Sequence, residues 1–122
     1  MKNPALASIV FGIYALAMGI GFTVAPNMLL SIFSIPATME VWIRVVGLLA
    51  SVIGIYYLYA GRSNDLHFFR MSVIGRTLFF VGMTAFALLN LGPTILIAFG
   101  LVDLLAAAWT AYALRANGEL KF

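Results

Sequence analysis

The sequence predicts an all-α protein: an integral membrane bundle of four transmembrane helices, with a short interfacial helix between spans one and two. Three observations carry this. Hydrophobic residues make up 64% of the chain and charged residues 9%, whereas a soluble domain carries about 25% charged residues, so a water-facing surface could not be built. Four apolar stretches are each long enough to cross a hydrocarbon core, which takes about 20 residues. The basic residues gather near the ends of those stretches rather than in a soluble patch. The 122 residues suffice for one domain, taken as a single transmembrane domain over 1–122.

The first span is expected at 5–24, preceded by Lys2 and closed by Pro26. Met1-Lys2 before an apolar run has the look of a signal peptide, but no small-x-small site followed by a soluble domain is evident, so it is read as a retained span. Ser8, Gly12, Ala15 and Gly19 fall on one helical face. Small residues on a common face let another helix come close, so a packing seam is expected there.

The segment 26–36, bounded by Pro26 and Pro36, is too short to span. Asn27, Ser31 and Ser34 share one face and apolar side chains cover the rest, the pattern of a helix lying in the interface. The second span, 41–60, opens on Trp42, a residue suited to the aromatic belt. Arg44, Gly47, Ser51 and Gly54 share its small-residue face, so Arg44 should point towards other helices.

The polar linker 61–70 holds Gly61, Ser63, Asn64 and Asp65, all turn formers, and the single histidine, His67. The third span, 71–91, carries Arg76 inside it and Asn90 near its end. A short turn at Gly92-Pro93 makes the fourth span, 94–114, its antiparallel neighbour. That span carries Asp103.

Charge sets the expected orientation. With four spans, Lys2, Arg62, Arg70, Arg115 and Lys121 fall on one side and Arg44 alone on the other, beside Glu40. The positive-inside rule then places both termini in the cytoplasm, in a bacterial-type inner (plasma) membrane. The net charge of +3 serves orientation and contact with anionic lipid headgroups, and nucleic acid is not an expected partner.

A short repeat runs at an offset of 53 residues. Gly47-Leu48 matches Gly100-Leu101, and Tyr59-Ala60-x-Arg62 matches Tyr112-Ala113-x-Arg115. It suggests a duplicated helical hairpin.

The intramembrane charges are the candidate site. By a rise of about 1.5 Å per residue, Arg76 sits about 9 Å from the basic boundary, Asp103 about 18 Å and Arg44 about 27 Å. Asp103 is thus near the midplane, bracketed by the two arginines. Gly100, Ala107 and Ala111 share its face, which should turn inward, as ionisable groups in membranes do. Asp103 with Arg76 or Arg44 is read either as a clamp fixing helix register or as a proton or ion site. Asn90, Ser51 and Tyr57 are secondary polar candidates.

Enzyme chemistry is not expected. Cysteine is absent, His67 has no evident nucleophile to serve, and Asp65 and Asp103 lie at different depths. Gly19-x-Gly21 lies inside a span and reads as packing rather than as a nucleotide loop. No catalytic residue, cofactor or metal ligand is assigned; a lone histidine falls short of the three or four ligands a metal site needs.

The first span closing on Ala25-Pro26, the stretch RVVGLLASVIGIYYL from Arg44, and Ile74-Gly75-Arg76 near the start of the third span carry a resemblance. In layout the chain resembles the DoxX-like and related uncharacterised small four-helix bacterial membrane proteins. Some of those are accessory subunits of quinone-linked membrane oxidoreductases, and the resemblance implies no catalytic residue. The expected function is a non-enzymatic accessory or assembly component of a membrane complex. The alternatives are a small oligomeric transporter or channel using Asp103, and a lipid- or quinone-binding module. The expected partners are the bilayer and either further copies of the chain or a larger membrane protein.

Overall fold

A computed structural model describes residues 2–120; Lys121, one of the expected orienting charges, lies outside them. Among the described residues the chain is all helical, with α1 (Pro4–Val24), α2 (Pro26–Ile32), α3 (Trp42–Ser63), α4 (Leu66–Leu88) and α5 (Ile95–Ala116). Four of these are long and apolar enough to cross a membrane, and the short α2 lies between the first two of them. The chain groups into two compact units, one of Ile9–Tyr59 and one of 2–8 with 60–120.

In the first unit, α1 and α3 meet through their small residues. A Cβ on Gly12 would lie 2.9 Å from the Gly54 carbonyl oxygen, and one on Gly54 would lie 2.7 Å from the Leu16 nitrogen. Gly19 abuts Ser51 and the Gly47 carbonyl, and a Cβ on Gly47 would lie 2.6 Å from the Thr23 nitrogen. Gly12 faces Gly54 while Gly19 faces Gly47, so the two helices run antiparallel. The expected small-residue faces are therefore one seam, in which backbone packs on backbone because side chains are missing from both. One end of the seam is closed by aromatics, with Phe11 and Tyr57 ring centroids 4.7 Å apart.

In the second unit, Ala60, Phe69 and Leu114 form a buried core against which Ala5, Leu66, Phe68 and Leu120 pack. Further along, a Cβ on Gly100 would sit 3.1 Å from the Phe80 Cα, so α4 and α5 also approach closely.

Several element ends differ from expectation. The polar stretch 61–70 is helix at both ends, with Asn64 and Asp65 alone between α3 and α4. Asn64 takes the left-handed conformation (φ 51°) that an asparagine tolerates. The Asp65 side chain accepts from the Phe68 amide at 3.1 Å and starts α4 five residues before the expected third span. His67 lies in that first helical turn rather than in a loop. At the far end α4 stops at Leu88, because Asn90 turns left-handed (φ 58°). The interfacial helix closes at Ile32, where Ser34 takes a positive φ.

Candidate functional site

Arg76 is the centre of a buried polar cluster in the second unit, with 3% of its surface exposed. Its Nε donates to the Ser72 carbonyl at 3.2 Å, and its Nη2 donates to Ser72 Oγ at 3.0 Å and to Thr110 Oγ1 at 2.8 Å. A hydroxyl has one proton and two lone pairs. Ser72 spends its proton on the Phe69 carbonyl (2.7 Å), and Thr110 spends its own on the Ala106 carbonyl (3.0 Å). Both oxygens thus face the guanidinium as acceptors. The cluster ties α4 to α5 with neutral groups that the helices supply from their own turns.

Asp103 lies on the α5 face that carries the buried Gly100 and Ala107, and is itself half-buried. The Arg76 guanidinium is the charge that acts on it. Depth along the helix left Asp103 between Arg76 and Arg44; it shares the second unit with Arg76, whose hydrogen bonds go to Ser72 and Thr110.

Arg44 has a different role. It belongs to the first unit, where its Nη1 donates to the carbonyls of Thr23 and Val24 at the end of α1. Those carbonyls are among the last four of the helix, which have no partner within it. A cation there is doubly favoured, by the hydrogen bonds and by the negative end of the helix dipole. Arg44 thus turns towards another helix, as its small-residue face predicted, and serves as a cap.

The secondary candidates scatter. Ser51 Oγ donates to the Gly47 carbonyl at 2.9 Å and sits in the α1–α3 seam. Tyr57 is buried against Phe11. Asn90 is exposed at the end of α4, its amide donating to the Ala87 carbonyl. Among the described residues no three His, Asp or Glu side chains gather as a metal site would need.

Ser72 and Thr110 were missed in the sequence. The available signal was spacing: Ser72 precedes Arg76 by one helical turn, and Thr110 lies two turns after Asp103 on the same face. No family model, curated protein or solved structure matches this chain.

Proposed function

We propose that this integral membrane protein is non-enzymatic and acts as an accessory or assembly component of a membrane complex, in an inner (plasma) membrane with both termini in the cytoplasm. The carrying observation is the use made of the deep arginines. Arg44 is spent on α1 carbonyls and Arg76 on Ser72 and Thr110, each inside its own helix pair. Charges used this way fix helix pairs, which leaves the apolar outer faces as what the molecule offers to its surroundings. Large side chains such as Leu78, Leu88, Leu105 and Tyr59 stand on those faces, each more than two-thirds exposed. The layout resemblance to DoxX-like proteins supports the same reading. Its test is purification in mild detergent together with deletion. A larger membrane protein should copurify at fixed stoichiometry, and that partner should fall in abundance when this chain is absent. Isolation as a homo-oligomer alone, with no protein depending on it, overturns the reading.

One observation favours a second reading. Asp103 is a half-buried acid in mid-span under the influence of Arg76, and intramembrane acids often serve ion paths. On this reading Asp103→Asn protein remains folded and loses proton or cation flux in liposomes. Absence of flux in the parent protein removes it.

A further inference from the structure

Burial in the α4–α5 pair is lopsided about Asp103. Towards the end where α4 starts and α5 finishes, the facing positions are closed. Ala107, Thr110 and Leu114 on α5 are buried there, and so are Phe69, Ser72 and Arg76 on α4. Towards the α4–α5 turn the facing side chains are only half-buried. Phe80 and Met83 lie against Gly100, and Phe99 and Leu96 stand one and two turns before Asp103 on its own face. Gly100 itself and Ala87 are the small, buried exceptions. Polar groups in this half lack a protein partner. Among the described residues no hydrogen bond or ion pair reaches the Asp103 carboxylate, on which Arg76 acts from a distance. Thr84 Oγ1 is buried and likewise meets no hydrogen-bond partner.

We infer that water enters the α4–α5 pair from its turn end, reaches Asp103 near mid-span, and stops at the Arg76 cluster. A carboxylate at that depth is costly unless a charge, a donor or water attends it. An ionised carboxylate only accepts, and this one receives no donor from the chain. A polar gap too long for a direct bond is where water bridges, and the gap between Asp103 and the Arg76 guanidinium is of that kind. Half-burial leaves water a way to the acid, which a sealed side chain would not have. The same water serves the Thr84 hydroxyl, the other polar group of this half without a partner.

Beyond Asp103 the way is closed. Ser72 and Thr110 turn their oxygens to the guanidinium and give their protons to helix carbonyls, so neither hydroxyl is left to lead water on. Behind them Phe69 and Leu114 fill the pair with apolar volume. The path is therefore blind: it hydrates the acid without crossing the membrane. In this the inference goes beyond the ion-path reading of Asp103, and it holds whether or not flux is ever seen.

The chain has no cysteine, so single cysteines can report where water reaches. The thiolate is the form that reacts, and an apolar setting suppresses it. A charged, membrane-impermeant methanethiosulfonate is applied to either side of sealed vesicles holding the full chain. Leu91→Cys marks access from the turn side and Arg115→Cys access from the other. Met83→Cys should react from the turn side at least about tenfold faster than Leu105→Cys, which stands exposed on the outer face of α5 and should meet lipid. Ala107→Cys, one turn behind Asp103, should stay unlabelled from both sides. Adding Asp103→Leu should slow the Met83→Cys reaction towards the Leu105→Cys rate. The reporters that keep the acid decide the matter by themselves where Asp103→Leu does not fold. Equal rates at Met83→Cys and Leu105→Cys overturn the inference, as does labelling of Met83→Cys from the Arg115 side. A folded Asp103→Leu variant in which Met83→Cys reacts undiminished overturns the acid as the cause. Labelling of Ala107→Cys from either side overturns the blind end, since the path would not stop at Arg76.

Discussion

The α1–α3 pair and the α4–α5 pair solve the same packing problem with a different weighting of close packing and hydrogen bonding. The helices α3 and α5 are each 22 residues long, and α5 begins and ends 53 residues after α3. Their buried positions keep the same offset. Gly47, Gly54, Tyr57, Ala60 and Gly61 on α3 correspond to Gly100, Ala107, Thr110, Ala113 and Leu114 on α5. The turns agree as well, since the Asn64 amide donates to the Gly61 carbonyl and the Asn117 amide to the Leu114 carbonyl. On this shared register the first pair packs bare backbone on backbone, with an aromatic contact and Arg44 bonding across its end, and the second adds a buried guanidinium to a close approach at Gly100. Where Tyr57 meets Phe11, its counterpart Thr110 meets Arg76. In a bilayer there is no hydrophobic gain in bringing helices together, so association rests on close packing or on hydrogen bonds. Both pairs use both routes, but the buried part of the first is close packing and that of the second is hydrogen bonding.

The largest effect should come from filling the seam that has no spare room. Gly19→Leu puts a side chain against the Ser51 backbone and the Gly47 carbonyl, and a backbone cannot swing aside as a side chain does. A loss of at least ~3 kcal/mol is expected, read as failure to melt cooperatively or as early unfolding in a dodecyl sulfate titration. If Gly19→Leu melts like the parent, the seam is not what joins α1 to α3.

Arg76→Met should cost less, about 2 kcal/mol. Ser72 and Thr110 keep their bonds to helix carbonyls, so neither hydroxyl is orphaned, but Asp103 loses its counter-charge. Adding Asp103→Asn should recover at least ~0.5 kcal/mol, and the double-variant cycle measures that coupling. A strictly additive cycle would separate the acid from the cluster.

Arg44→Gln should cost under ~1 kcal/mol, the scale of a charge at an exposed helix end, and the loss should show as fraying of α1 in hydrogen exchange at Thr23 and the residues after it. The smallest change is expected at Thr84, whose Oγ1 is buried and meets no hydrogen-bond partner among the described residues. Thr84→Val removes a buried polar atom of the same shape and should hold or slightly raise the melting temperature. A clear fall there would mean that the α4–α5 pair draws on a further polar contact.

The helical spans were legible because each is long, apolar and closed by proline or turn residues, signals that do not depend on tertiary context. The seam was legible for the same reason: glycine and serine at helical spacing on two spans predict where backbones meet. The start of α4 was not, because 61–70 is polar and reads as a loop, whereas Asp65 caps a helix that begins inside that polar stretch. The candidate charges were found by rarity alone, since an arginine or an acid inside an apolar run must be accounted for. Their partners were not. Serine, threonine and main-chain carbonyls are too common for a sequence to single out, and depth along the helix axis could not separate Arg44, which caps α1, from Arg76, which acts on Asp103.

The bond from Arg44 to the end of α1 carries a consequence for how the protein is made. As a nascent chain leaves the ribosome, α1 is complete about 20 residues before the side chain that closes its last carbonyls exists. By contrast Asp65 is translated ahead of α4, so that helix starts with its cap in hand. The first helix is finished retroactively, by the arrival of the helix that will lie against it. Between those two moments α1 must stay unpaired in the translocon or the lipid, exposing the glycine face that α3 later covers. Ribosome-stalled chains ending before and after Arg44 should therefore differ in the protection of α1, while α4 is protected as soon as it is long enough to form.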